Sequence, residues 1–90
     1  MPQNDCRPLA DPSCESRDLG EELLVYDRDG DQVHVLNEVA REIFLLCDGS
    51  RTPVEIGARV ADRFPVEQDQ ALSDVNKTLD QLIGIGLIQV

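Results

Sequence analysis

The spacing of the apolar residues changes at Asn37, and this change constrains the fold more than any other feature of the sequence. Before it, apolar and polar residues alternate along Gln32–Leu36, which is typical of a half-buried β-strand. After it, apolar residues recur every three or four positions, which is typical of amphipathic helices. The sequence therefore predicts an α+β fold, a small three-stranded antiparallel sheet followed by three helices in a winged-helix-like order.

Two further strands are expected before Gln32–Leu36. The first is a short edge strand over residues 13–19, and the second is a half-buried strand over residues 21–26, with a turn at Gly20 between them. An Asp-Gly turn over residues 27–31 leads into the third strand, because Asp-Gly tolerates the positive φ of hairpin connections. Residues 1–12 contain three prolines and no periodicity. They predict a mobile N-terminal arm, followed by a single folded domain over residues 13–90.

The helix boundaries have local signals. Asn37 is predicted to cap the first helix, and Gly49 is predicted to end it in the left-handed conformation. Thr52 and Glu55 have the spacing of a capping box, with proline at the first helical position of the second helix. A third helix is expected to begin between residues 67 and 73 and to end near residue 84. A short extended tail follows it.

Net charge excludes some classes of partner. Eighteen acidic against eight basic residues give a formal charge of −10, which would repel nucleic-acid phosphates and anionic membranes. A partner with basic or mixed charge is favoured, and solubility alone explains the charge equally well.

We expect no signal peptide and no membrane span. Three cysteines are an odd number without framework spacing, which predicts a reduced, cytoplasmic protein.

An acidic turn offers the nearest approach to a metal site. Asp27, Asp29 and Asp31 alternate as in a calcium loop, and Glu38 falls where the twelfth position of such a loop would be. The glycine, however, is at position four instead of six, and strands flank the segment instead of helices. An acidic hairpin turn is therefore the preferred interpretation.

The cysteines and the histidine do not form a reactive set. Cys6, Cys14 and Cys47 lack the paired spacing of structural zinc sites. Cys47 falls on the apolar face of the first helix, where a free cysteine acts as a small hydrophobic residue. His34 is the single histidine, and no nucleophile or carboxylate is placed beside it in the pattern. We therefore expect no catalytic residue, no cofactor and no bound metal.

The predicted architecture leaves two classes of binding open. A winged-helix order raises DNA binding, but the third helix would offer one lysine, Lys77, against Asp74 and Asp80. Alternatively, an extended peptide could add to the edge of Gln32–Leu36, with the third helix as the other wall of a groove. The same edge could instead be blunted by charge, or covered by the arm or by a second copy. From the residues alone the last two possibilities are level.

A longer pattern runs from Leu23 to the C-terminus. It consists of Leu23-Leu24-Val25-Tyr26, His34-Val35-Leu36-Asn37, Ala40, Ile43, Leu46-Cys47-Asp48-Gly49, Arg51-Thr52, Glu55-Ile56, Asp74-Val75, Leu79, Leu82 and Gly86-Leu87-Ile88. In this pattern the chain resembles the PqqD family, the small protein of pyrroloquinoline quinone biosynthesis and its relatives. The N-terminal arm lies outside the resemblance.

The resemblance implies a non-catalytic peptide chaperone, a recognition element for ribosomally made peptides. Such a domain binds the leader of a precursor peptide along the third strand against the third helix, and presents it to a radical-SAM enzyme. The implied peptide-binding residues are Gln32, Val33, His34, Val35, Leu36, Leu72, Val75, Asn76 and Leu79. A monomer or weak homodimer is expected. The alternatives are a winged-helix regulatory or DNA-binding module and a self-associating scaffold domain.

Overall fold

The computed structural model describes residues 6–28 and 30–89, and two small sheets and three helices lie within them. The elements in chain order are β1 (Leu9–Ala10), β2 (Cys14–Asp18), β3 (Leu23–Asp27), β4 (Gln32–Leu36), α1 (Glu38–Leu46), α2 (Pro53–Arg63), α3 (Gln68–Gly84) and β5 (Ile88–Gln89). Strands β2, β3 and β4 form an antiparallel sheet in that order, and β1 pairs with β5. The predicted α+β class, with a three-stranded sheet followed by three helices, is confirmed.

The sheet has one face toward the helices and one face toward solvent. Leu23 of β3 is paired with Leu36 of β4, and both side chains are buried in the core shared with the helices. The residues that alternate with them point the other way. Val33 and Val35 of β4 are accordingly 61% and 58% exposed. Strand β4 is at one end of the strand order, so within the described residues it is paired only with β3.

The predicted helix ends are present as hydrogen-bonded caps. The Oδ1 atom of Asn37 accepts a hydrogen bond from the backbone N–H of Ala40, at 2.9 Å. Thr52 and Glu55 form the reciprocal capping box, with donor–acceptor distances of 3.3 and 2.9 Å. Gly49 has φ of +83°, in the left-handed region that glycine enters without steric cost. The Asn37 and Thr52 caps are confirmed, because each depends on residues close together in the chain. Gly49 has the predicted left-handed conformation but follows the C-cap residue Cys47, and its N–H donates to Pro8 and not to α1.

A single hydrophobic core joins the sheet to all three helices. Its fully buried side chains include Leu23, Ile43, Ile56 and Leu79. Cys47 also belongs to this core, and its Sγ atom donates to the carbonyl oxygen of Ile43 at 3.1 Å. Burial raises the pKa of the Cys47 thiol to about 12, so the group is neutral and unreactive at physiological pH. The interpretation of Cys47 as a small hydrophobic residue agrees with this placement.

Part of the expected N-terminal arm is docked on the domain. The backbone N–H of Ala10 donates to the Cys47 carbonyl oxygen at 2.8 Å, and the N–H of Gly49 donates to the Pro8 carbonyl oxygen at 3.0 Å. Pro8 is buried, and Leu9–Ala10 pairs with Ile88–Gln89. Residues 8–11 are therefore hydrogen-bonded to the domain, although they precede the boundary predicted at residue 13. Residues 1–5 of the predicted arm lie outside the described residues.

An ion pair holds α1 against the turn between β2 and β3. Arg41 donates to both carboxylate oxygens of Asp18, with its Nε atom at 2.8 Å and its Nη2 atom at 2.5 Å. The Arg41 guanidinium, with help from the backbone N–H of Gly20, lowers the pKa of Asp18 to about 2 from an ordinary value of 3.8. The pair links α1 to the sheet, and α1 follows β4 directly in the chain.

This pair predicts a dependence of stability on pH. Because the folded pKa of Asp18 is depressed, its stabilisation is complete above pH ~4 and is lost as the pH falls toward ~2. We expect the difference in unfolding free energy between wild type and Asp18→Asn, measured by urea denaturation, to be largest near neutral pH and to shrink over that acidic range. The matched control is the same substitution in an Arg41→Gln background, where the partner of Asp18 is missing and the trend should be much smaller. A wild-type to Asp18→Asn difference that stays constant with pH would contradict the prediction.

Candidate functional site: a groove between the edge strand and the last helix

A cavity of about 450 Å³ lies between β4 and α3 and is open to solvent. One wall is formed by the end of β4 and the first turn of α1, and the other by one face of α3. The lining residues are Val35, Leu36, Asn37, Val39 and Ala40 on the first wall, and Asp74, Lys77, Thr78, Gln81, Leu82 and Ile85 on the second. The groove is therefore mainly apolar at its base, with polar and charged groups on the helix wall.

The local sequence explains both walls. Strand β4 runs into the Asn37 cap without a loop, so the strand and the first turn of α1 form one continuous surface. On α3 and at its C-cap, residues 74, 78, 81 and 85 follow the three- and four-residue spacing that places side chains on one face of a helix. The core residues of α3 occupy the neighbouring face, which begins at Ala71 and Val75. The groove thus lies along the margin of the hydrophobic core.

The two edges of the three-stranded sheet differ in charge. Strand β2 is at one edge and contains Glu15, Arg17 and Asp18, whereas β4, at the other edge, contains no acidic residue, lysine or arginine. Exposed edge strands are commonly protected from pairing by charged side chains. Only the β2 edge has that protection. The free edge of β4 is therefore better suited than the edge of β2 to accept another strand.

The strand half of the sequence-predicted site lies at the groove. Val35 and Leu36 line the cavity, while Gln32 and Val33 are exposed further along the same strand. His34 is half-buried on the inner face of the sheet, and its Nε2 atom is buried without a hydrogen-bond partner. These five consecutive residues are brought together by the strand itself.

The helix half of the predicted site is placed differently. Val75 and Leu79 are fully buried in the core and offer no surface to a ligand. Leu72 packs against α2, where a Cβ atom on Gly57 would lie 3.3 Å from the Leu72 Cα atom. Asn76 is half-buried, and its Oδ1 atom is buried without a hydrogen-bond partner. The structure does not bring these four residues to the groove.

Other residues of α3 line the groove instead of these four, and the sequence indicates them only in part. The groove face of α3 is offset by about one residue from the core face, so the apolar periodicity marks the core face of the helix and not the face that lines the groove. Asn37, Val39 and Ala40 of the first wall were also missed. Their position follows from the Asn37 cap, which fixes where the strand ends and the helix begins.

The arrangement is suited to binding. The groove contains one carboxylate, Asp74, and one amine, Lys77, with no histidine or cysteine among its lining residues. Across the described ranges no group of three or more histidine, cysteine or acidic side chains could hold a metal ion. Asp29 of the calcium-like turn lies outside those ranges. An open strand edge beside a groove can hold an extended chain through backbone hydrogen bonds and alternate side chains.

None of the helices in residues 6–28 and 30–89 is long and apolar enough to cross a membrane.

The chain matches a known protein family, and its fold is found in two solved structures. Residues 22–88 match the model of the family described as Coenzyme PQQ synthesis protein D (PqqD). No curated protein shows a significant match over the sequence. Two solved structures share the fold at low sequence identity. One is TbiB1 in complex with the TbiA(beta) leader peptide, with 17% identity and a TM-score of 0.82, covering 90% of this chain and 94% of that chain. The other is lasso peptide synthetase B1 complexed with the leader peptide, with 15% identity and a TM-score of 0.81, covering 93% of this chain and 99% of that chain.

Proposed function

The chain belongs to the PqqD family, and we propose that it is a non-catalytic domain that binds the leader segment of a ribosomally made precursor peptide. The leader would add as a further strand to β4 and lie in the groove against α3. The observation that carries this proposal is the uncharged edge of β4, which faces a groove instead of another strand of the described chain. The leader peptides in the two complexes of the same fold support it.

The dimensions of the groove suit a short extended segment. The helix wall runs from Asp74 to Ile85, and the eleven steps between these residues rise about 16 Å along a helix axis. An extended chain covers that length with about five residues. Five residues is also the length of β4, so a leader segment of this size could pair along the whole strand. Backbone hydrogen bonds would supply affinity, and side chains directed into the groove would supply selectivity.

The charge of the protein favours a leader that carries lysine or arginine. The formal charge of −10 would attract a basic peptide over several ångströms before contact, and Asp74 offers one carboxylate in the groove itself. Lys77 on the same wall limits this preference at short range. We therefore expect the attraction to act mainly on the rate of association, which should fall as salt is added.

The bound leader would be presented to a modifying enzyme, because the groove itself has no catalytic arrangement. We propose a radical-SAM enzyme as this partner, as in pyrroloquinoline quinone biosynthesis, because the resemblance of the sequence to the PqqD family implies one. The printed descriptions of the two similar structures name a leader peptide in both cases and a lasso peptide synthetase in one. We also propose a cytoplasmic location, since three cysteines without framework spacing are typical of a reduced protein.

The proposal is tested by titrating the ¹⁵N-labelled full chain with a synthetic peptide, the leader half of a precursor encoded beside its gene. We expect micromolar or tighter binding, with amide shifts concentrated on Gln32–Leu36 and on the groove face of α3. A scrambled peptide of the same composition is the control and should give no saturable shifts. Shifts concentrated on β2 would contradict the assignment of the groove.

The alternatives have different signatures in solution. A DNA-binding module would bind duplex DNA with a steep loss of affinity as salt rises. A self-associating scaffold would pair β4 edges and sediment as a dimer at concentrations where a peptide-binding domain is a monomer or weak homodimer. Neither alternative uses the groove between Val39 and Gln81, so neither predicts peptide-induced shifts there.

A further inference from the structure

Two rows of side chains cross the outer face of the three-stranded sheet, the face turned away from the helices. Cross-strand pairing places one residue of each strand in each row. The rows are Glu15–Tyr26–Val33 and Arg17–Leu24–Val35. In both rows a charged residue on β2 is followed by a half-buried residue on β3 and by an exposed valine on β4. The outer face therefore becomes more apolar toward the open edge.

The two valines are the most exposed large hydrophobic residues in the described part of the chain. Val33 is 61% exposed and Val35 is 58% exposed, and they are the outermost members of a surface that continues through Leu24 and Tyr26. Charged side chains are the usual protection of an edge strand, and β4 has none. Val35 also lines the groove, so the outer face of the strand is continuous with the groove and with the backbone edge at which the leader is proposed to pair.

A strand added to β4 would bring its own side chains beside these valines. Directly opposed residues in antiparallel strands have Cβ atoms about 5 Å apart, so their side chains contact one another. An apolar neighbour would bury the valine methyl groups. Beside Val35 a charged neighbour would lose water without gaining a partner, since Arg17 is on β2, which is two strand spacings, about 10 Å, from β4. Near Val33 the Asp31 carboxylate already accepts a hydrogen bond from the Tyr26 hydroxyl group at 2.8 Å.

We propose, on the basis of the function proposed above, that the bound peptide carries apolar side chains at two alternate positions beside Val33 and Val35. The intervening residue directs its side chain to the inner side, into the groove. Val33 and Val35 are then specificity-determining residues, and the substrate class is a leader segment with the pattern apolar–any–apolar on its outward side. Selection is exerted on the outer face of the sheet as well as inside the groove.

The test begins with a library of random 12-residue peptides displayed on phage and selected on the immobilised full chain. The most enriched peptide is then synthesised, and its affinity is measured by fluorescence anisotropy for wild type, for the double variant Val33→Thr/Val35→Thr, and for Val54→Thr. Threonine favours strands, so the double variant should keep the fold. Val54 is a matched control, since it is an exposed valine, 47% exposed, on α2 outside the groove.

We expect enriched peptides to share the apolar–any–apolar pattern and the double variant to bind about tenfold more weakly, whereas Val54→Thr binds as wild type does. Nuclear Overhauser contacts should join the two apolar side chains to the methyl groups of Val33 and Val35. Binding at β4 that is unaffected by the double variant, or charged residues enriched beside the valines, would overturn this inference and leave the proposed function intact.

Two further outcomes would overturn the inference for other reasons. If no peptide is enriched, or if bound peptide leaves the β4 amides unshifted, the proposed function fails and the inference fails with it. If the chain sediments as a dimer that the double variant converts to a monomer, and the peptide does not displace the partner, a second copy covers this face instead.

Discussion

Replacing Thr78 with tryptophan is expected to weaken binding of the leader peptide at least about 100-fold, equivalent to about 2.7 kcal/mol. Thr78 is half-buried on the groove face of α3, between the apolar base of the groove and its polar rim. An indole ring at this position would fill the space that a peptide side chain needs. The measurement is isothermal titration calorimetry of the full chain with the synthetic leader.

Ser73→Trp is the matched control for this substitution. Ser73 is exposed on the same helix and does not line the groove, so tryptophan there adds equal bulk without occluding the site. We expect Ser73→Trp to bind the leader as wild type does, and both variants to show cooperative thermal unfolding near the wild-type temperature. If the two tryptophan variants bind the leader equally well, the peptide does not lie against this face of α3.

The architecture was accessible from the sequence because its signals are local. The alternation along Gln32–Leu36 predicted β4 with its observed limits, and the Asn37 cap located the transition from strand to helix. The capping box at Thr52 and Glu55 did the same for α2. Each of these signals depends on residues within one turn or one strand of each other. Distant parts of the chain are not needed to satisfy them.

The docking of residues 8–11 was not accessible because it depends on distant partners. Leu9–Ala10 forms backbone hydrogen bonds with the far end of the chain, and Ala10 also bonds to the carbonyl oxygen of Cys47. Such bonds use main-chain atoms and leave little pattern in the side chains. A segment of two paired residues preceded by a buried proline, Pro8, has no periodicity to detect.

The sequence indicated the strand that borders the groove but not the helix residues that line it, and the reason is related. A site that holds a peptide through a strand edge is built largely from backbone groups, so the identity of its strand follows from topology and the identity of its side chains does not. On α3 the apolar residues that mark the helix are the ones that the core needs, such as Val75 and Leu79. The groove uses the adjacent face, where Thr78 and Gln81 carry no periodic apolar signal.

The Leu79→Ala variant tests whether Leu79 belongs to the hydrophobic core or to the peptide-binding surface of α3. Leu79 is fully buried, and truncating a buried leucine costs about 3 kcal/mol through lost contacts and the cavity left behind. For a domain of this size we expect the melting temperature to fall by about 15 °C. Below the melting transition the folded variant should bind the leader with wild-type affinity, because the Leu79 side chain does not reach the groove. Thermal unfolding by circular dichroism and calorimetric titration at low temperature measure the two effects.

Leu45→Ala is the control, because Leu45 is 44% exposed on α1 and lies outside the groove, so its truncation should lower the melting temperature by no more than a few degrees. The informative comparison is between stability and affinity in the Leu79 variant. A loss of leader affinity at an unchanged melting temperature would mean that Leu79 contacts the peptide, as the resemblance to the PqqD family implies. A large loss of stability with unchanged affinity assigns Leu79 to the core and leaves peptide recognition to the neighbouring face of α3.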